Sequence, residues 1–76
     1  MTNYKETENL ITINGLDSSA IRGFVYDKET KILTITFTSG GHYDYPDVPL
    51  SVIYDWLKAD SKGKFYNREI RNVYSY

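Results

Sequence analysis

The turn Ser61-Lys62-Gly63-Lys64, followed by Arg68 and Arg71, gathers the residue types that hold an anion. It offers backbone N–H groups, one hydroxyl and two ammoniums ahead of a helical stretch, where unpaired N–H groups and the helix dipole favour negative charge. Arginine adds a planar fork that clamps phosphate bidentately or stacks on a base. Tyr66 lies between these cations and can supply a ring. A second set of rings sits upstream. Tyr43 and Tyr45 are two positions apart, so on an extended segment they share a face, with His42 and Asp44 on the other. Two adjacent phenols make a surface that is apolar on the ring and polar at the tip. That surface suits core packing capped by hydroxyl hydrogen bonds, the reading that spacing alone favours, and the sharper alternative is stacking against a base or nucleotide. Basic residues interleaved with aromatics fit a nucleotide or a short single-stranded nucleic acid. A solvated helix face is the plainer reading of the same cations.

Catalytic readings fail on inventory. The chain has no cysteine and one histidine, so thiol chemistry, thiolate zinc and multi-histidine metal sites are all excluded. Ser39, His42 and Asp44 contain the residue types of a hydrolytic triad, but neighbours on one turn and strand lack the elbow and the base-orienting context. Asp44 and Asp47 form no recognisable acid/base pair. Ser61–Lys64 lacks the spaced first glycine of a phosphate-binding Walker loop. The expectation is a protein that is not an enzyme, with no metal and no cofactor.

Charge sharpens the binding reading. Net charge is −1, but residues 1–57 carry net −4 while residues 58–76 carry net +3. A local anion site on an acidic body follows more naturally than a coat for long duplex DNA, which calls for a more basic protein. Seventy-six residues make one domain with a thin core. Cores of this size are usually supported by disulfides, a metal or a partner subunit. Without cysteine, self-association is the support that remains, with a symmetric dimer as the default. Twelve aromatic residues, eight of them tyrosine, exceed what such a core encloses, so some are expected at a surface or interface. No apolar run is long enough to cross a bilayer and no signal-peptide pattern opens the chain, so the expected compartment is the cytoplasm.

The elements that must position these groups follow from periodicity. Residues 1–9 are polar and read as a flexible lead-in to a single domain over 10–76. Leu10 to Ile13 forms a short strand ended by Asn14-Gly15, a strong turn signal. Ile21 to Tyr26 is a strand with Ile21, Gly23 and Val25 on one face and Arg22, Phe24 and Tyr26 on the other. Asp27 to Thr30 turns the chain. In the strand 32–38, Leu33, Ile35 and Phe37 alternate with three threonines, the firmest pattern present. Gly40-Gly41 turns into a third strand at 42–45, and Pro49 opens a helix over 50–59 whose stripe is Val52, Ile53, Trp56 and Leu57. Trp56 is expected in the core. Gly63 breaks the helical pattern, and Asn67 caps a short helix over 68–74. The fold class is therefore α+β: a three- to four-stranded antiparallel meander packed against one helix, with a short C-terminal helix.

The ordered series Ser18-Ser19-x-Ile21, Tyr26-Asp27, Leu33-x-Ile35-x-Phe37-x-x-Gly40, Tyr43-x-Tyr45, Val48-Pro49 and Ala59-x-Ser61-x-Gly63-x-Phe65-x-Asn67-x-x-Ile70 resembles the KTSC domain. That family is named for its occurrence at the C-terminus of some lysyl-tRNA synthetases, and it also occurs as a free-standing protein in bacteria and their phages. The resemblance spans residues 18–74 and implies an α+β fold and a role in RNA binding. Its Tyr-x-Tyr falls on Tyr43 and Tyr45, and its Ser-x-Gly on Ser61 and Gly63, followed by Lys64. No synthetase catalytic domain accompanies it in these residues, which weighs against a role on tRNA. The expected ligand set is Tyr43, Tyr45, Ser61, Lys62, Gly63, Lys64, Tyr66, Arg68 and Arg71. The expected function is a nucleic-acid- or nucleotide-binding module acting by occupancy, of the kind a phage protein uses to sequester a nucleotide immune signal. A protein-interaction module with tyrosine-rich surfaces is the alternative.

Overall fold

The computed structural model describes residues 2–16 and 18–74. Met1, Asp17, Ser75 and Tyr76, which the expected lead-in and domain boundaries include, lie outside them. Five antiparallel strands run in sequence order across one sheet: β1 (Asn3–Glu6), β2 (Leu10–Asn14), β3 (Ile21–Asp27), β4 (Ile32–Phe37) and β5 (His42–Tyr45). Helix α1 (Leu50–Lys58) follows, then a short helix α2 (Lys62–Phe65) that widens into a π-helical turn over Tyr66–Ile70. The α+β class and the meander match the expectation, with one strand more.

The added strand is β1, drawn from the segment expected to be a flexible lead-in. It buries no residue, so its sequence carries no strand pattern to find. It forms because β2 offers a free edge, to which it pairs from Asn3↔Asn14 to Glu6↔Ile11. Thr7 N–H donates to the Leu10 carbonyl at 2.8 Å and closes the turn between them.

The faces of β3 also differ from strict alternation. Ile21 pairs with Phe37 but Gly23 pairs with Thr36, so Arg22 is an extra residue in the ladder. This bulge puts Ile21 on the same face as Phe24 and Tyr26, and all three are buried. A glycine inside a strand pattern is the sequence trace of such a bulge. Val25, by contrast, points to the opposite face, paired with Thr12 and Thr34.

The core lies between the sheet and the helices. Ile11, Ile13, Phe24, Leu33, Ile35 and Tyr45 supply the sheet side; Ile53 and Trp56 supply the α1 side; Phe65, Tyr66 and Ile70 complete it. Phe37 packs against this core only half-buried, because it lies where β4 runs out toward the Gly40 turn. Trp56 stacks on Phe24 with centroids 4.2 Å apart and planes 10° from parallel. Burying a ring of that size contributes about 4–6 kcal/mol before entropy is counted. Its indole N–H donates to the Lys62 carbonyl at 3.0 Å, so the buried donor is satisfied. The Tyr26 hydroxyl donates to the Val48 carbonyl at 2.6 Å and fixes the connector that leads into Pro49 and α1.

The C-terminal helix starts earlier than expected. Ser61, rather than Asn67, is the cap, accepting Lys64 N–H on its side chain at 3.3 Å. Gly63 consequently lies inside the first turn instead of breaking the helix. The helix gives way to turns after Ile70, where Arg71 N–H reaches the Tyr66 carbonyl at 2.8 Å.

Candidate functional site

A groove of about 840 Å³ opens between the loop before β3 and the connection from α1 to α2. Its polar wall is built from two segments far apart in sequence: Ser18 and Ser19 on one side, Ser61, Gly63, Lys64 and Asn67 on the other. Ser18 precedes β3, its Oγ accepting the N–H groups of Ala20 and Ile21, both at 3.3 Å. Thr38 N–H donates to the Ala20 carbonyl at 2.9 Å, which ties that loop to the end of β4. The opposite wall comes near at Gly63, which has no side chain to fill the gap. A Cβ on Gly63 would lie 3.4 Å from Ser18 Oγ.

Lys62 lines the groove, yet its ammonium is engaged with α1. It donates to the Ala59 carbonyl at 2.6 Å and to the Leu57 carbonyl at 3.3 Å, capping the negative end of that helix. Lys64 is exposed on the rim, and Asp60 shares the same lining. The arginines lie elsewhere. Arg68 Nε donates to Glu69 at 2.8 Å, with its guanidinium 5.7 Å from the Phe65 ring centroid. Arg71 donates to Asn67 Oδ1 at 3.5 Å. The four cations expected to act together are thus divided, two in the groove and two outside it.

The tyrosines divide as well. Tyr45 and Tyr66 are buried, and their hydroxyls hydrogen-bond to each other at 2.7 Å. Neither ring presents a face to solvent. Tyr43 is 44% exposed at the end of the same face, edge-on to Phe37 with centroids 5.4 Å apart. Spacing of two does set Tyr43 and Tyr45 on one face, but the helices cover Tyr45 and stop short of Tyr43. The expected platform is a core residue beside a rim residue, and neither lines the groove.

The strongest electrostatic perturbation gathers at Glu6 on β1. Its carboxylate accepts from Lys28 Nζ at 2.6 Å, from the Tyr54 hydroxyl at 2.7 Å and from the Tyr4 hydroxyl. These donors, Lys28 foremost, hold its pKa down at about 2. The Glu6 carboxylate in turn pushes the Tyr4 phenol up to about 12. The cluster joins β1 to the β3–β4 turn and to α1, a structural role that strand pairing alone would not reveal in the sequence. Sequence reasoning likewise left Ser18, Ser19, Asp60 and Asn67 out of the site. Ser18 and Ser19 were visible only as members of the ordered series, and Asn67 there and as a helix cap.

The KTSC domain profile matches residues 17–74, most of the chain. The chain belongs to the KTSC family. A KTSC domain protein from Yersinia pestis has a crystal structure that superposes with a TM-score of 0.75 at 25% identity, covering 99% of this chain and 93% of that one. An uncharacterized protein from Stutzerimonas stutzeri is 43% identical over 53 residues, 70% of this chain and 75% of its own length. The lysine–tRNA ligase of Nostoc punctiforme is 40% identical over 60 residues, 79% of this chain but 11% of the ligase. The chain therefore spans a small fraction of the synthetases it matches. Much of the KTSC series falls into two groups in space, with Phe37, Tyr43 and Ala59 among the exceptions. Ile21, Tyr26, Leu33, Ile35, Tyr45, Val48, Phe65 and Ile70 are buried, whereas Ser18, Ser19, Ser61, Gly63 and Asn67 line the groove. Among the described residues, no helix is long and apolar enough to cross a membrane, and no three His, Asp or Glu side chains cluster to hold a metal ion.

Proposed function

We propose that this KTSC domain is a non-catalytic module that binds a nucleotide or a short single-stranded nucleic acid in the groove between Ser18 and Lys64. The observation that carries the reading is the meeting of Ser18-Ser19 with Ser61–Lys64 along one groove. Hydroxyls donate and accept, and an ammonium donates only; together they suit phosphate oxygens and sugar hydroxyls. Asp60 on the same rim supplies an acceptor for a base or sugar N–H or O–H. The lysine–tRNA ligases that share this segment act on a nucleic acid, which adds support. Occupancy suffices for such a module: it removes a signal nucleotide from circulation or covers an RNA end without turnover.

The test is a thermal-shift screen against nucleotides and short RNA oligonucleotides, since a ligand favouring the folded state raises the melting point. Lys64→Glu and Ser19→Glu should abolish the shift while leaving the ligand-free melting point in place. Arg68→Ala, outside the groove, should retain it. Lys64→Ala should also flatten the salt dependence of oligonucleotide affinity by about 0.7 in log–log slope, the amount that one neutralised phosphate contributes on a single strand. Failure of every nucleotide and oligonucleotide to raise the melting point, or full binding by both groove variants, would reject the reading.

A further inference from the structure

The face of the sheet turned away from the helices carries a charge pattern complementary to itself. Strand register sets its residues: Lys5, Thr12, Val25, Thr34 and Asp44 form one row across the five strands, and Leu10, Asp27 and Ile32 form the next. Val25, Leu10 and Ile32 are 39%, 40% and 38% exposed, so this face shows its apolar side chains at the middle and at one end. The charges around them are segregated. Lys5 stands on the β1 edge and Arg22 at the bulge end of β3, while Asp44 stands on the β5 edge and Asp27 at the far end of β3. Thr34 Oγ1 donates to Asp44 Oδ1 at 2.7 Å, fixing that carboxylate on the face. A line drawn across the sheet through Val25 leaves both cations on one side and both carboxylates on the other.

We propose that this face binds a second copy of the same chain, related by a two-fold axis that lies along that line. The rotation lays the Lys5 and Arg22 half of one protomer over the Asp27 and Asp44 half of its partner, and the reverse. Val25, close to the axis, meets Val25 of the partner subunit. A two-fold interface uses one patch on both subunits, so a patch must complement itself, as this one does. The association is weak. Five strands at ~4.8 Å and about five residues at ~3.4 Å give a face of roughly 400 Å² per copy, below the ~800 Å² per partner of a stable complex. Added salt weakens it further, because exposed charges are screened. The groove lies on the helix side of the sheet, so the dimer leaves both grooves open and stands independently of the proposed ligand.

Sedimentation velocity over a concentration series tests it with three proteins besides the wild type. Val25→Lys brings two ammoniums together near the axis and should weaken the dimer by about tenfold or more, since charge without a partner at the centre of an interface is costly. Lys5→Glu/Arg22→Glu makes the whole face negative, and Asp27→Asn/Asp44→Lys makes it positive; Asn keeps the side-chain oxygen that Asp27 gives to the Glu29 and Thr30 N–H groups. Each double variant should be monomeric alone, and their equimolar mixture should form a heterodimer. The paired charge variants keep the proposal testable should Val25→Lys fail to fold. A wild-type protein that stays monomeric at several hundred micromolar overturns it. So does a dimer indifferent to these substitutions, which would place the interface on another face.

Discussion

At Gly23 strand β2 leaves no room for a side chain on β3. A Cβ at this position would sit 2.3 Å from the Ile13 carbonyl oxygen and 2.7 Å from Asn14 Cα, both backbone atoms that cannot rotate aside. Gly23→Ala must therefore spread the strand pair or undo the bulge, and is expected to destabilise by about 1–3 kcal/mol, read as a lower urea midpoint. An unchanged midpoint would mean the two strands separate at no cost. The phenols of Tyr45 and Tyr66 illustrate the other constraint on single residues here. Each buries its ring in the core and satisfies its hydroxyl on the other in place of water, so Tyr-x-Tyr spacing encodes one packing position and one rim position. Lys62 shows how a cation with the right spacing for phosphate is committed elsewhere: its ammonium terminates α1.

Strand β1 is held differently from the rest of the sheet. Having no buried side chain, it depends on backbone pairing to β2 and on the cluster at Glu6. The sign of its pH dependence follows from the carboxylate. Folding lowers the Glu6 pKa to about 2, so the folded state binds the proton less readily than the unfolded one. The contribution of Glu6 is complete above the ordinary carboxylate value of 4.5 and is lost as pH falls from there toward about 2. The amide protection factors of residues 3–6 should fall over that window while those of β3 and β4 hold, and Glu6→Gln should already lower them at neutral pH. Protection of β1 that ignores both pH and the substitution would remove the cluster from this role. Helix α1 touches the same cluster through Tyr54, but its main hold is the burial of Ile53 and Trp56.

At the scale of the molecule, what the sequence made legible was whatever burial imprints on pattern. Leu33 and Ile35 alternate because one face of β4 is core, and Ile53 and Trp56 recur because one stripe of α1 is. Those two signals suffice for the meander, the covering helix and the place of Trp56. Features set by backbone alone left no burial pattern: β1 buries no side chain, and the bulge at Arg22, marked in the sequence only by Gly23, shifts a register that alternation assumes constant. The groove was half legible. Ser61–Lys64 stands out by composition, but its partner wall at Ser18 and Ser19 is brought to it by tertiary packing, which no local spacing records. The same packing gives the protein two separate optical channels. Trp56 is the one tryptophan in the chain, wedged between Phe24 and Phe65 with its N–H on Lys62, where sheet, α1 and the C-terminal segment all meet. Its emission should shift only when the whole structure opens, whereas the tyrosine absorbance of Tyr54 should respond when β1 alone comes away and takes Glu6 with it. In an acid titration followed at both wavelengths, the tyrosine change is expected first and the indole change later; coincident curves would mean that β1 and the core let go together.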